Sequence, residues 1–164
     1  MLLDLKKVFS NEGESCSFDY KMDLSSTDIN GINPFVSPVS VKGTVKSHDE
    51  FAQLDAGVSF DFSIPCDRCA RQVNKCYNYT FSHVLVLSSE NEDDDKFVQV
   101  TNYKLDLDEL LRADILLELP TKYLCSENCK GLCSVCGKNL NDGTCNCDLH
   151  QIDPRLEALK KLID

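Results

Sequence analysis

Eight of the ten cysteines fall in two clusters, and this pattern constrains the fold more than any other feature of the sequence. Cys66 and Cys69 form a C-x2-C pair, and residues 125–147 then read C-x3-C-x3-C-x2-C-x8-C-x-C. Thiolates this close repel one another unless a cation neutralises them, and short-spaced cysteine pairs usually supply two of the four ligands of a tetrahedral zinc ion. We therefore predict two closed, structural zinc sites. Their predicted ligands are Cys66, Cys69, Cys125, Cys129, Cys133, Cys136, Cys145 and Cys147.

The pairing of these ligands into two sites is not determined by sequence, but local spacing favours one partition. Cys133 and Cys136 precede Gly137, and glycine permits the φ > 0 turn that directs backbone N–H groups toward sulfur. Cys145 and Cys147 are two residues apart and lie on one side of an extended segment. These four cysteines form the favoured local site. By elimination, the other site consists of Cys66, Cys69, Cys125 and Cys129.

The remaining thiols and the histidines receive structural interpretations. Cys16 falls on the apolar phase of a strand and is predicted to be core, whereas Cys76 is predicted to be packed or exposed without a metal. His150 follows the last cysteine by three residues and could replace one ligand. His48 and His83 have no partner pattern.

Length and composition indicate the number of domains and the expected cellular compartment. The 164 residues fit one domain with a small appendage, and 42% hydrophobic residues suffice for one core. No apolar run approaches the ~18 residues of a membrane span, and the N-terminus does not read as a signal peptide. A cytoplasmic location is therefore expected. In a reducing cytosol, ten cysteines are better explained as metal ligands than as disulfides.

The net charge of −10 argues against unaided binding to nucleic-acid phosphates, which requires a basic surface. An acidic stretch at residues 90–95 is interpreted as a solvated loop. Basic residues are relatively richer near the cysteines, and these are the candidate contacts to RNA or to a protein partner. They are Arg68, Arg71, Lys130, Lys138 and Arg155.

Hydrophobic alternation with a period of two predicts strands through most of the first half of the chain. The predicted strands lie near residues 2–9, 16–24, 39–45, 58–64, 77–87 and 97–100, and residues 25–34 read as a loop. The first cysteine pair would then occupy the turn between two long strands. Asp106 begins a capping-box variant that predicts a helix near residues 107–118, with Leu107, Leu110, Leu111 and Leu117 on its apolar face.

The predicted fold class is α+β: an antiparallel β-sheet or partly closed β-barrel with one amphipathic helix. Residues 1–119 would form the β-rich domain. Residues 120–164 would form a zinc-ordered, cysteine-rich tail packed on it, ending in a short helix that Asp153 and Pro154 begin.

Catalytic signatures are not found in the sequence. A catalytic zinc keeps an open position and usually has histidine or carboxylate ligands, but neither H-x-E nor H-E-x-x-H occurs. A thiol-redox function of Cys66 and Cys69 is a weaker alternative, because the pair lies between strands rather than at a helix N-terminus. We therefore predict a protein that is not an enzyme and has no small-molecule substrate.

Several motifs resemble those of the YceD family over roughly residues 35–163. Cys66-Asp67-Arg68-Cys69-Ala70 resembles its C-x-R-C-L element, and Asp114, Leu117 and Pro120 match its helix end. Residues 129–141, CKGLCSVCGKNLN, closely resemble the signature C-K-G-L-C-P-x-C-G-x-N-L-N. The C-x-C pair and the segment DPRL at residues 153–156 follow in the family's order. Ser134 and Ala70 replace the usual proline and leucine, and neither departure removes a ligand.

The resemblance implies a role in the accumulation of large-subunit (23S) ribosomal RNA, and hence in ribosome biogenesis. The implied partners are a precursor of the large ribosomal subunit, through its rRNA, a ribosomal protein or both. A chaperone-like role, in which the acidic surface binds a basic ribosomal protein, is the alternative.

Overall fold

The computed structural model describes residues 1–49, 51–87 and 97–147. Seven strands and two helices lie in these ranges. They are β1 (Leu2–Asp4), α1 (Lys6–Ser10), β2 (Ser15–Met22), β3 (Val39–His48), β4 (Phe51–Pro65), β5 (Gln72–Val86), β6 (Phe97–Gln99), β7 (Lys104–Asp106) and α2 (Leu107–Glu118). The described part of the chain is therefore mostly β, with two helices, and the Cys66–Cys69 pair follows β4 as predicted.

The main sheet is open and has the order β2-β3-β4-β5-β6. β2 and β4 each pair antiparallel with β3, with Met22 opposite Val39 and Phe51 opposite His48. β6 pairs parallel with β5, with Phe97 opposite Val84. The predicted antiparallel arrangement is thus wrong at this edge, and the alternative of a partly closed barrel is wrong for the described strands. Local alternation could not reveal either feature, because strand direction and closure depend on pairing between distant segments.

The core follows the predicted alternation on β3 and β4. Val41, Val45, Phe60 and Phe62 are all buried on these two strands, and β4 extends beyond its predicted start to include buried Leu54. The backbone of Asp55 on β4 and the ring of Phe18 on β2 both approach Gly43 unusually closely. A Cβ added there would overlap the carbonyl oxygen of Asp55 and lie 2.5 Å from Cζ of Phe18, so only glycine fits.

Helix α2 begins as the sequence predicts. The Asp106 carboxylate accepts hydrogen bonds from the backbone N–H groups of Asp108 (3.1 Å) and Glu109 (3.3 Å), which caps the helix N-terminus. The buried face consists of Leu107, Leu111 and Ile115. Leu117, which was predicted on the apolar face, is instead 85% exposed, because the helix turns it away from the buried stripe.

The predicted strand over residues 2–9 is too long. β1 spans only Leu2–Asp4 and pairs with β7 in a separate two-stranded sheet. The Asp4 carboxylate accepts a hydrogen bond from the backbone N–H of Lys6 at 2.9 Å, and this local bond turns the chain into α1. Only Val8 of α1 is buried. Helix α1 is therefore an element that the sequence analysis did not predict.

The chain divides into two compact units. Unit 1 comprises Met1–Ile64 and Asn74–Thr121, and unit 2 comprises Pro65–Val73 and Lys122–Asp164. The described cysteines of both clusters belong to unit 2. The predicted acidic loop at residues 90–95 and the predicted helix after Asp153 lie outside the described residues. Neither of the helices that the structure describes is long and apolar enough to cross a membrane.

Candidate metal centres

Unit 2 contains two cysteine turns with the same backbone hydrogen bonds. The Cys66 N–H donates to the carbonyl of Arg71 at 2.8 Å, and the Ala70 N–H donates back to the carbonyl of Cys66 at 2.9 Å. The turn that begins at Cys133 repeats both bonds at equivalent positions, with distances of 2.8 and 2.9 Å. Each turn thus holds a C-x2-C pair in one defined shape.

The residue after each pair adopts a left-handed conformation. Ala70 has φ of 56° and Gly137 has φ of 71°. Glycine adopts this conformation at no steric cost, whereas alanine does so only with strain. The glycine was recognised in the sequence, but Ala70 carried no such signal.

The first group brings together the four cysteines Cys66, Cys69, Cys125 and Cys129, whose sulfur atoms all lie within 4.8 Å of one another. The sulfurs of Cys66 and Cys129 are 3.8 Å apart, and those of Cys69 and Cys125 are 3.5 Å apart. Three of the four residues are buried, and Cys125 is half-buried. The group is therefore closed to water on most sides, as in a structural site.

The second group consists of Cys133, Cys136, Cys145 and Cys147, again with all sulfurs within 4.8 Å. Here only Cys133 is buried, and Cys136 is exposed. Both groups have the membership of the favoured partition. All ten cysteines lie in the described ranges and are free thiols, with Cys16 half-buried and Cys76 exposed. Each four-cysteine group could hold a metal ion.

Backbone N–H groups stabilise one thiolate in each turn. Burial opposes ionisation of Cys66, but N–H groups such as that of Arg68 point at its sulfur and lower its pKa to about 6. The N–H groups of Cys136 and Val135 likewise lower the pKa of Cys133 to about 6. These donors would equally stabilise sulfur bound to a cation.

In each group, one further thiol shares its proton with the neighbouring sulfurs. Hydrogen bonds to Cys129 and Cys69 raise the pKa of Cys125 to about 12, and a hydrogen bond to Cys136 raises that of Cys147 to about 12. Each group in the metal-free state therefore pairs thiols with thiolates. A metal ion would displace the shared protons.

Three of the basic residues proposed as partner contacts make contacts within unit 2. Arg68 Nη1 donates to the carbonyl of Cys129 at 2.9 Å, and Arg71 forms a 2.6 Å ion pair with Asp142. Lys138 Nζ donates to the carbonyl of Thr144 at 2.9 Å.

Lys130 is exposed and Arg155 lies outside the described residues, as does His150. In the same stretch as Lys130, Leu132 and Val135 are 43% and 64% exposed, which hydrophobic patterning did not predict.

Two asparagines near the first group were not recognised as site residues. The side chain of Asn141 donates to the sulfur of Cys129 at 3.3 Å and to Oδ1 of Asn139 at 2.8 Å. The signal available in the sequence was the Asn-x-Asn spacing after the second turn. Asparagine side chains in loops commonly form such bonds to neighbouring groups.

These observations define a β-rich protein with two four-cysteine centres built on repeated turns. A family model described as "Large ribosomal RNA subunit accumulation protein YceD" matches residues 54–163. The chain therefore belongs to the YceD family. The matched region includes every cysteine of both groups.

Two relatives extend the comparison. The chain is 29% identical over 154 residues to "Uncharacterized protein YlbN" of Bacillus subtilis (strain 168), covering 92% of this chain and 89% of that protein. It is 26% identical over 177 aligned positions to the maize (Zea mays) protein named "Large ribosomal RNA subunit accumulation protein YCED homolog 1, chloroplastic". That match covers 88% of this chain but only 60% of the maize protein. No solved structure matches the chain significantly.

Proposed function

We propose that this protein is a non-catalytic ribosome biogenesis factor that supports the accumulation of large-subunit (23S) rRNA. The observation that carries the proposal is the family match over residues 54–163, whose description names large ribosomal RNA subunit accumulation. The name of the maize relative supports the same role. The cysteine-rich unit would present the surface that contacts the precursor subunit in the cytoplasm.

We propose zinc as the ion in both centres, with a structural role. Four sulfurs around a zinc ion, with bonds of about 2.3 Å and tetrahedral angles, lie about 3.8 Å apart. The observed separations of 3.8 and 3.5 Å fit this arrangement, and they are far too long for disulfides. A multi-iron cluster would distribute its cysteines over several irons and separate their sulfurs further. The bound zinc would neutralise the thiolates and hold the chain segments together.

The stretch from Lys130 to Lys138 is our candidate for the partner surface. Pairing between the segments around Leu132 and Asn139 holds this stretch in a defined shape. Exposed Leu132 and Val135 lie between the two lysines in the sequence. A surface that combines cationic and apolar groups suits RNA together with a ribosomal protein better than phosphates alone.

Depletion of the protein, followed by complementation, tests the proposal. Wild-type protein should restore the level of 23S rRNA and sediment with large-subunit precursors. Lys130→Glu should reduce both, because it reverses a charge on the proposed partner surface. The variant is informative since it breaks no side-chain contact that the structure shows. Lys42→Glu on β3 is the matched control, since Lys42 is 68% exposed and its ion pair is with exposed Asp19.

The possible outcomes test the proposed function and the proposed partner surface independently. Normal 23S rRNA after depletion would overturn the proposed function. Full activity of Lys130→Glu, in a fold that retains its metal, would overturn the surface alone. Charge reversal at Arg68 or Arg71 is less informative, because both side chains make contacts within unit 2.

A second candidate function is chaperone-like binding of a basic ribosomal protein. An open groove of about 550 Å³ in unit 1 is lined by acidic groups, including Asp23, Asp106, Asp108 and Glu109, with Arg112 beside them. Co-purification of a basic protein that survives nuclease treatment and is weakened by Glu109→Gln, but not by Glu118→Gln, would support this candidate. Loss of the partner on nuclease treatment would exclude it.

A further inference from the structure

The loop between Cys136 and Cys145 is flanked by two cysteines of the second centre, and a residue near its middle contacts a cysteine of the first centre. Asn141, near the middle of this loop, directs its side-chain amide at the sulfur of Cys129, 3.3 Å away. Cys129 belongs to the first group, whereas both cysteines that flank the loop belong to the second. The side chain of Asn141 therefore links the loop of the second centre to a ligand of the first.

Every polar atom of the Asn141 side chain has a partner. Its Oδ1 accepts the backbone N–H of Lys130 at 2.8 Å, and its Nδ2 donates both to Cys129 Sγ and to Asn139 Oδ1, the latter at 2.8 Å. Exchanging the oxygen and nitrogen would point an N–H at the Lys130 N–H and an oxygen at the thiolate. The amide orientation is therefore determined by its surroundings.

Backbone hydrogen bonds place this amide, and the backbone N–H of Gly131 also points at the Cys129 sulfur. The Leu140 N–H donates to the carbonyl of Gly131 at 2.9 Å, which pairs the loop with the segment between Cys129 and Cys133. Gly131 has φ of +75°, and a Cβ there would lie 3.1 Å from the carbonyl oxygen of Arg68 in the first turn. Segments of both centres are thus packed closely around Asn141.

A hydrogen bond from a neutral amide to a metal-bound thiolate disperses part of the sulfur's charge and fixes its position. Partners of this kind orient the ligands of metal sites and tune metal affinity. The bond forms only when the loop holds its shape, and Cys136 and Cys145 hold the two ends of the loop when a metal ion binds them. Metal at the second centre would therefore favour the bond to the first.

We propose that Asn141 couples the two centres, so that zinc at the second centre strengthens zinc binding at the first. Linkage makes the coupling reciprocal: zinc at the first centre strengthens binding at the second by the same factor. The inference depends on the proposal that both groups hold zinc. Asn141 acts as a positioning residue, because it contacts a ligand and not the metal.

The test is a double-mutant cycle on zinc affinity. Cys147→Ser disables the second centre, and a chelator competition then gives the zinc affinity of the first centre. In the wild-type background, we expect Cys147→Ser to weaken the first centre about 10-fold to 100-fold, the range typical of lost partners of metal ligands. In the Asn141→Ala background, the same substitution should have less than a twofold effect.

Two further variants keep the cycle interpretable. Asn141→Asp preserves the acceptor for Lys130 but places a carboxylate oxygen beside the thiolate, so it should weaken the first centre more than Asn141→Ala does. Asn128→Ala replaces an exposed asparagine next to Cys129 and should change neither centre. Cadmium-113 resonances of the substituted protein report each centre separately, and Asn141→Ala should shift those of the first.

The outcomes distinguish the inference from the function on which it rests. Two zinc ions per chain, with a first-centre affinity that Cys147→Ser leaves unchanged, would overturn the coupling. An effect of Cys147→Ser that persists in full without the Asn141 amide would overturn the role of Asn141. A chain that binds no zinc would overturn the proposed zinc centres, and the inference with them.

Discussion

The Nε2 atom of His83 lies 2.8 Å from Oδ2 of Asp114 and connects β5 to α2 within unit 1. The side chains are only 23% and 15% exposed. Asp114 is the acidic residue of the helix-end motif by which the sequence resembles its family. In this protein, the acidic residue of the motif thus contacts the sheet from the helix.

We predict that Asp114→Ala lowers the free energy of unfolding by about 1–3 kcal/mol, because it leaves a half-buried imidazole without this partner. Denaturant titration of Asp114→Ala, His83→Ala and the double variant would measure the coupling. Glu118→Ala, at an exposed position on the same helix, is the control and should change stability by less than about 0.5 kcal/mol. Additive effects of the two single variants would contradict a direct interaction.

Substitution of one ligand should remove one metal ion. We predict that Cys66→Ser loses the zinc of the first centre, since serine does not replace a thiolate ligand of a closed site. Metal analysis of the purified protein, with thermal unfolding in parallel, checks this prediction. Cys76→Ser is the matched control because Cys76 is an exposed cysteine outside both groups. Equal zinc content in the two variants would contradict the assignment of Cys66.

Zinc affinity should fall with decreasing pH. Cys66 and Cys133 have pKa values of about 6 and are therefore thiolates at about pH 8. Cys125 and Cys147 have pKa values of about 12, so at the same pH they carry protons that a zinc ion would displace. Below about pH 6 the first two thiolates also bind protons, so zinc must displace more of them. We predict that affinity falls about tenfold per pH unit for each displaced proton, and more steeply below about pH 6. Chelator competition from about pH 8 to about pH 5 measures the slope, and a slope that does not steepen below about pH 6 would contradict the lowered pKa values of Cys66 and Cys133.

Two glycines on adjacent strands should respond oppositely to alanine. Gly43→Ala would push a methyl group into the Asp55 carbonyl and the Phe18 ring, and we predict a loss of about 3 kcal/mol or more. At Gly57 the nearest atom to an added Cβ is the Lys42 carbonyl oxygen at 3.7 Å, an ordinary contact. Gly57→Ala should therefore be neutral or stabilise the protein by up to about 1 kcal/mol. Thermal unfolding compares the pair, and equal effects would contradict the close approach at Gly43.

The sequence was informative wherever a local pattern determines the structure. Alternating side chains predicted the core strands, and the Asp106 carboxylate predicted the start of α2 because capping involves neighbouring residues. Local spacing favoured the grouping of Cys133, Cys136, Cys145 and Cys147, and the first group was obtained only by elimination. Metal binding at those groups stays a prediction that the stoichiometry experiments address.

The features that the sequence did not reveal include one that depends on a local side-chain bond and others that depend on distant contacts. The residues after Asp4 had the composition of a strand, but a side-chain bond to Lys6 turned them into a helix. The parallel edge pairing of Phe97 with Val84 has no local signature. Arg68 was interpreted as a surface cation, whereas its guanidinium reaches the carbonyl of Cys129, a residue 61 positions away.

The first cysteine group is assembled from stretches that the ribosome synthesises at different times. Cys66 and Cys69 leave the ribosome well before Cys125 and Cys129, with all of β5 and α2 translated in between. A nascent or prematurely ended chain therefore carries an incomplete set of thiols that cannot close around an ion. Completion of the centre requires chain elongation to pass residue 129. Under the proposal that this group binds zinc, an ion bound by all four cysteines would mark molecules whose translation has passed residue 129.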